Sequence, residues 1–284
     1  MTPAARNVRD LIAFYLEAGV DSAVGEEPVN HFADRPEPNA SPGTIRPAQP
    51  PFRDAASSPT TPRTGTGNGT VDVPRAPAPA SVVSPDAAVM AAREAARTAQ
   101  NLKELRALLD SFEGCMLRAT ATQLVFASGT PGARVMFVGE APGRDEDIAG
   151  EPFVGRSGKL LDLMLQAIGL DRTKTYIANV VPWRPPGNRT PTPHETAICL
   201  PFIRRQIELA NPDILVCLGQ PSTQTLLGTK EGITRTRGRW FKFDTGTREI
   251  RAMPTFHPAF LLRSPLQKRF VWRDLLALKR ALAG

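Results

Sequence analysis

The chain has 284 residues, 41% of them hydrophobic, and a net charge of +7. That length supports one substantial domain or two small ones, and the apolar fraction supports a sizeable core. Three cysteines are too few for a disulfide scaffold and fit a reducing compartment, no apolar run reaches the 18 residues of a membrane span, and the N-terminus lacks a basic-then-apolar signal pattern. The expected location is therefore cytoplasmic, with no membrane partner. The positive surplus favours a polyanion, nucleic acid ahead of a membrane surface, although charge alone does not decide it.

In chain order, Val8, Leu11, Ile12, Tyr15 and Leu16 fall at helical spacing before Gly19, so residues 1–35 read as a short helical segment that could dock on another element. Residues 36–85 differ: fourteen of the 28 prolines lie in the first 85 residues, and apolar periodicity is missing. Such a stretch cannot bury enough to offset its ordering entropy and reads as a Pro-rich disordered linker. A folded domain is expected over 86–284.

That domain opens on an Ala-rich helix expected from Asp86 to Leu109, with Leu102, Leu105 and Leu109 on one side. Strand, loop and helix then alternate. Val135–Val138 is a continuous apolar run suited to a buried parallel strand. Ser157 can cap a helix carrying Leu160, Leu161, Met164, Leu165 and Ile168, closed by Gly169. Further strands are expected at 176–181, 214–218 and 251–256, with a helix from Pro193 to Glu208 between the first two. This alternation predicts an α/β fold, a three-layer α/β/α arrangement with a central four-stranded parallel sheet. Ligands of such sheets bind beyond the carboxyl ends of the strands.

Three polar segments stand at those ends. Gly139-Glu-Ala-Pro-Gly143 runs on through Glu146 and Asp147 to Gly150-Glu-Pro-Phe-Val-Gly155. Glu146 or Asp147 could serve as a base, or both could belong to a solvated acidic loop. Gly155-Arg-Ser-Gly-Lys159 has the wrong spacing for a phosphate loop. Asn179 is either a turn residue or an amide that reads a pyrimidine edge with one donor and one acceptor. His257, before a proline, is either structural or a functional imidazole near Asn179. Leu261-Leu262-Arg263 is either core or a minor-groove wedge with a phosphate-seeking cation.

Six motifs in register carry a resemblance. They are Gly139-Glu-Ala-Pro-Gly, Pro152-Phe-Val-Gly, Tyr176-Ile-x-Asn, Arg184-Pro-Pro-Gly-Asn-Arg, Arg237-Gly and His257-Pro-Ala-x-Leu-Leu-Arg. Together, over roughly residues 112–283, they resemble the family-4 branch of the uracil-DNA glycosylase superfamily. The resemblance implies a monofunctional enzyme that flips uracil out of DNA and hydrolyses its N-glycosidic bond, opening base excision repair without cutting the strand. It implies that Glu140, Ala141, Pro142 and Gly143 shape the water and base pocket. Phe153 would stack on uracil, Asn179 would read its polar edge, and His257 would stabilise the leaving base. It places Glu146 at a position important for activity, and Arg237, Leu261, Leu262 and Arg263 against DNA. The implied partner is uracil-containing DNA, bound by a nucleoid-associated monomer whose segment 1–35 could dock a repair or replication partner. Two alternatives stand beside this: a glycosylase of broader range, taking hypoxanthine, xanthine or mismatched bases, and a non-catalytic damage binder on the same fold.

The sequence departs from the family in one respect. Most family-4 enzymes hold a 4Fe-4S cluster through four cysteines. Here Cys115 and Cys199 match two of those positions, while Phe112 and Trp183 occupy the other two. Two thiolates cannot hold a cubane cluster that normally takes four. No metal and no cofactor are expected, against a family-wide alternative of a 4Fe-4S cluster. The family's best-known branch has an aspartate where Ala141 stands and a tyrosine where Gly143 stands, so water and base range must be governed by other groups here.

Overall fold

The computed structural model describes residues 85–283. The segment read over 1–35, and all but the last residue of the stretch 36–85, lie outside the described residues. The helix expected as one piece over 86–109 is two, α1 (Pro85–Thr98) and α2 (Leu102–Ser111). The break has a local cause. Asn101 accepts a hydrogen bond from the Glu104 amide at 2.9 Å, and the Glu104 carboxylate accepts one from the Gln100 amide at 2.7 Å. This reciprocal cap starts a new helix where composition alone suggests continuation. A short α3 (Met116–Thr120) follows.

Six strands are present among the described residues: β1 (Ser128–Gly129), β2 (Val135–Gly139), β3 (Thr175–Asn179), β4 (Ile214–Leu218), β5 (Phe241–Asp244) and β6 (Glu249–Thr255). They form one sheet in the order β1-β3-β2-β4-β6-β5. The inner four are parallel, as expected; the outer two, β1 and β5, add antiparallel edges. Neither edge strand was evident beforehand, since β1 spans two residues and β5 alternates exposure rather than forming an apolar run. The connections are α4 (Arg144–Ala149), α5 (Arg156–Gln166), α6 (Pro193–Ala210), α7 (Gln220–Leu227), α8 (Ile233–Thr236), α9 (Pro258–Arg263) and α10 (Lys268–Ala283). Helix α5 is capped by Gly155, two residues before the expected Ser157.

Strand alternation sorts the core into two layers. Met136, Val138, Tyr176, Ala178, Leu215 and Cys217 face one side with residues of α1, α2 and α6. Val135, Phe137, Ile177, Val216 and Met253 face the other with residues of α5 and α10. The inner strands are buried on both faces, which is why they read as continuous apolar runs. Chain order places β3 on one side of β2 and β4 on the other. The sheet therefore has a topological switch point at β2 and β4, and a crevice opens beyond their carboxyl ends.

Candidate active site

A cavity of about 220 Å³ lies beyond the carboxyl ends of β2, β3 and β6, lined by the segments that follow them. It is smaller than the sites that enclose drug-sized ligands and suits a single ring. Glu140, Ala141, Pro142, Gly143, Glu146, Phe153, Asn179 and His257 all line it, so the structure brings every expected pocket residue to one place. Ser157, Asn188, Thr190 and Ala259, not singled out as pocket residues by the sequence, line it too, with Pro185, Arg189 and Pro191.

Asn179 ends β3 opposite Gly139, the last residue of β2. Its side chain is buried, and its Oδ1 has no hydrogen-bond partner. A buried carbonyl oxygen left unpaired costs about 1–3 kcal/mol. Such a vacancy at the floor of a cavity marks a group waiting for a donor. The close approach requires Gly139: a Cβ there would lie 2.4 Å from Asn179 Oδ1 and 2.7 Å from Phe153 Cζ.

Phe153 adopts φ of 57°, the left-handed region that non-glycine residues rarely enter. Its neighbours enforce this. Arg172 donates to the Phe153 carbonyl, and also to the Pro152 carbonyl at 3.1 Å and Ser128 Oγ at 3.0 Å. Asp162 accepts from Arg172 Nε at 2.8 Å and so orients the guanidinium. Gly158 is the other constraint, because a Cβ there would sit 1.7 Å from the Phe153 carbonyl oxygen. The ring is 4% exposed and lies 5.4 Å from the His257 ring, tilted by 32°. Arg172 is thus a positioning residue that no motif pointed to, since its partners are 10 to 44 positions distant in sequence.

His257 is the N-cap of α9, and its Nδ1 accepts the Ala259 amide at 3.1 Å. That bond fixes the tautomer: Nδ1 is the acceptor, so the proton of the neutral ring sits on Nε2. Burial, reinforced by the nearby Arg263 cation, lowers the pKa of His257 to about 4. The imidazole is therefore neutral at physiological pH and presents one N–H donor.

The carboxylates differ in their freedom. Glu146 is buried, and its two oxygens accept three backbone amides: Gly143 at 3.1 Å, Val154 at 3.1 Å and Gly155 at 3.0 Å. This geometry is that of a clamp tying the Gly139–Gly143 turn to the loop after Phe153. Asp147 accepts from the Thr122 amide and hydroxyl, both at 2.8 Å, and belongs to neither a solvated loop nor the pocket. Glu140 is the contrast. Its Oε1 is buried without a partner, and burial pushes its carboxyl pKa upward.

Two expectations for DNA contact are corrected. Arg237 is turned inward, its guanidinium paired with Asp274 and donating to the Phe270 carbonyl, between the rings of Phe256 and Phe270 at 5.7 and 5.3 Å. It ties α8 to α10 and is spent inside the fold. Leu261 is 1% exposed and packs in the second core layer, so it is no wedge. Leu262, at 37% exposure, and Arg263 remain on the rim of the crevice.

The four positions that the resemblance set against cluster ligands converge on the first core layer. Cys115, Trp183 and Cys199 are buried there, and Phe112 packs edge-on to Phe202 at 5.0 Å. The neighbouring Cys199 thiol lowers the pKa of Cys115, while Cys115 together with burial raises that of Cys199. Two thiols, a phenyl ring and an indole do not make the donor set of an iron–sulfur cube. Among the described residues, no group of three or more metal-binding side chains comes together.

The doubly wound sheet and the cavity beyond its strand ends, lined by the Asn179 amide, the Phe153 ring and the His257 imidazole, define a three-layer α/β/α protein. Residues 126–276 match the model of the uracil DNA glycosylase superfamily, and the chain belongs to that superfamily. It is 46% identical over 164 residues to a type-4 uracil-DNA glycosylase of Thermotoga maritima, covering 57% of this chain and 84% of the relative. It is 39% identical over 170 residues to one from Archaeoglobus fulgidus, covering 58% and 85%, and 39% identical over 179 residues to one from Sulfurisphaera tokodaii, covering 61% and 81%. No helix among the described residues is long and apolar enough to cross a membrane.

Proposed function

We propose that this chain is a monofunctional uracil-DNA glycosylase. It hydrolyses the N-glycosidic bond of uracil in DNA and leaves an abasic site for base excision repair, acting as a monomer. The observation that carries this reading is the pairing of an unpartnered Asn179 Oδ1 with a tautomer-fixed His257 across one single-ring cavity. A non-catalytic binder has no need of the second of these groups. The target base is inside the duplex and must be flipped to reach the cavity. There the Asn179 amide offers an acceptor to uracil N3–H and a donor to O4. Phe153 supplies the stacking face. As the bond from C1′ to N1 breaks, its electron pair goes to the base and positive charge develops on the sugar. The His257 Nε2–H donates to uracil O2, where the negative charge collects. Water adds to C1′ and passes one proton to a pocket carboxylate. We assign its positioning to Glu140, the pocket carboxylate with a free oxygen, rather than to Glu146, whose oxygens are engaged. Among the described residues no lysine lines the pocket to form a covalent adduct, which supports a monofunctional reaction.

We further propose that the chain works without an iron–sulfur cluster. Phe112 and Trp183, packed with Cys115 and Cys199, supply through apolar contact the local cohesion that the cluster gives elsewhere in the family. Iron analysis and a visible spectrum of anaerobically purified protein test this; stoichiometric iron with cluster absorption would refute it. The functional reading is tested on duplexes carrying uracil, hypoxanthine or a thymine mismatch, where release from uracil DNA is expected to dominate.

A further inference from the structure

Next to the base pocket is a second, wider cleft of about 480 Å³. The two share Gly143, Glu146, Ser157, Asn188 and Ala259, so one opens directly into the other. Arg144, Arg156 and Arg263 line the second cleft, each exposed. They come from the start of α4, the start of α5 and the end of α9. Elsewhere in the fold, arginines such as Arg172, Arg189, Arg237 and Arg248 are engaged by carboxylates. Facing the three is one acidic lining residue with an exposed side chain, Asp145, since Glu146 is committed to backbone amides. The cleft thus holds a net surplus of positive charge at the mouth of a site that must accept a flipped nucleotide. The exposed Leu262 lies on the same rim.

We propose that Arg144, Arg156 and Arg263 form the seat for the DNA backbone phosphates flanking the flipped nucleotide, which adds Arg144 and Arg156 to the one phosphate-seeking cation, Arg263, expected from the sequence. This rests on the functional reading above. A flipped base remains tethered to its own strand, so the phosphates on either side must pass the pocket mouth, and this cleft is what lies there. Three guanidiniums can bind phosphate oxygens in bidentate fashion and carry no sequence information, as a lesion-searching enzyme requires.

The test measures binding of the full chain to a uracil-free duplex as a function of NaCl concentration, alongside excision from a uracil duplex. Each phosphate contact contributes about −0.9 to the slope of log K against log salt on duplex DNA. Arg144→Gln, Arg156→Gln and Arg263→Gln are expected to flatten that slope by about 0.9 each. They should raise KM severalfold while kcat at saturation stays within about twofold, the pattern of lost uniform binding. Arg156→Lys should keep the slope, because it keeps the charge. Arg93→Gln, on the remote face of α1, should leave it unchanged. A double Arg144→Gln, Arg156→Gln variant with the wild-type slope and KM would overturn the proposal. Because slopes are read on uracil-free DNA, an inactive wild type that still shows them would refute the functional reading and leave the phosphate seat standing.

Discussion

At the scale of single residues, the pocket separates side chains that complete the fold from those that await a substrate. Asn179 Oδ1 is a buried acceptor with nothing to accept, so the folded protein gains little from it. Asn179→Ala should therefore leave the melting temperature near that of wild type while lowering kcat/KM more than a hundredfold, about 3 kcal/mol of lost base contact. The two glutamates should diverge. Glu146→Gln turns an acceptor into a donor facing amide donors, and should destabilise by about 1–3 kcal/mol with a modest loss of turnover. Glu140→Gln removes a carboxylate that burial already disfavours, and should cost about a hundredfold in kcat with stability unchanged or raised. Thermal melts beside single-turnover rates separate the cases; a larger rate loss in Glu146→Gln would return the catalytic role to Glu146. His257 adds a pH dependence with a definite sign. Its folded pKa near 4 lies below the unfolded value of 6.5, so between those values the unfolded chain takes up a proton that the folded chain does not. Its contribution is thus full above pH 6.5 and lost as pH falls toward 4, on the order of 3 kcal/mol. Difference denaturation curves of wild type and His257→Ala should show the variant less sensitive to acid across that window.

At the scale of elements, the positions that matter are junctions between strands and the segments that follow them. Gly139 and Gly158 leave space for the Asn179 amide and the Phe153 carbonyl, so Gly158→Ala must displace the strained Phe153 loop. We expect that variant to fold with a weakened base platform, seen as a raised KM for uracil DNA. The parallel core and the motif residues were legible in the sequence because apolar runs and turn residues are local signals. What was not legible depends on contacts distant along the chain. The inward turn of Arg237 depends on Asp274, 37 residues away. The burial of Leu261 follows from the docking of α9 against α5 and α10, which a Leu-Leu-Arg triplet does not encode. The clamp role of Glu146 depends on amides eight and nine residues ahead. The split of the first helix was encoded locally, in Asn101 and Glu104, but alanine-rich composition obscured it.

At the scale of the whole molecule, the fold distributes its cations by purpose. Arg237 holds α10 to the sheet through Asp274, which also accepts from Thr255 at 2.7 Å. Arg237→Ala strands a buried carboxylate and should destabilise by about 3–5 kcal/mol without a specific change in the salt dependence of DNA binding. The outward arginines should behave in the opposite way. The aromatic side chains of Phe112 and Trp183 belong to the same scale, since they pack into one core layer while other residues line the pocket.

The most direct test of the account is single-turnover release of uracil from a duplex by wild type, His257→Ala and Asn179→Ala. We expect wild type to convert every uracil to an abasic site with the strand intact until alkali is added. His257→Ala should bind the same DNA yet react about 10²–10³-fold more slowly, the cost of removing a preorganised donor from a leaving anion. Uracil left in place by folded wild-type protein, or equal rates in wild type and His257→Ala, would contradict it.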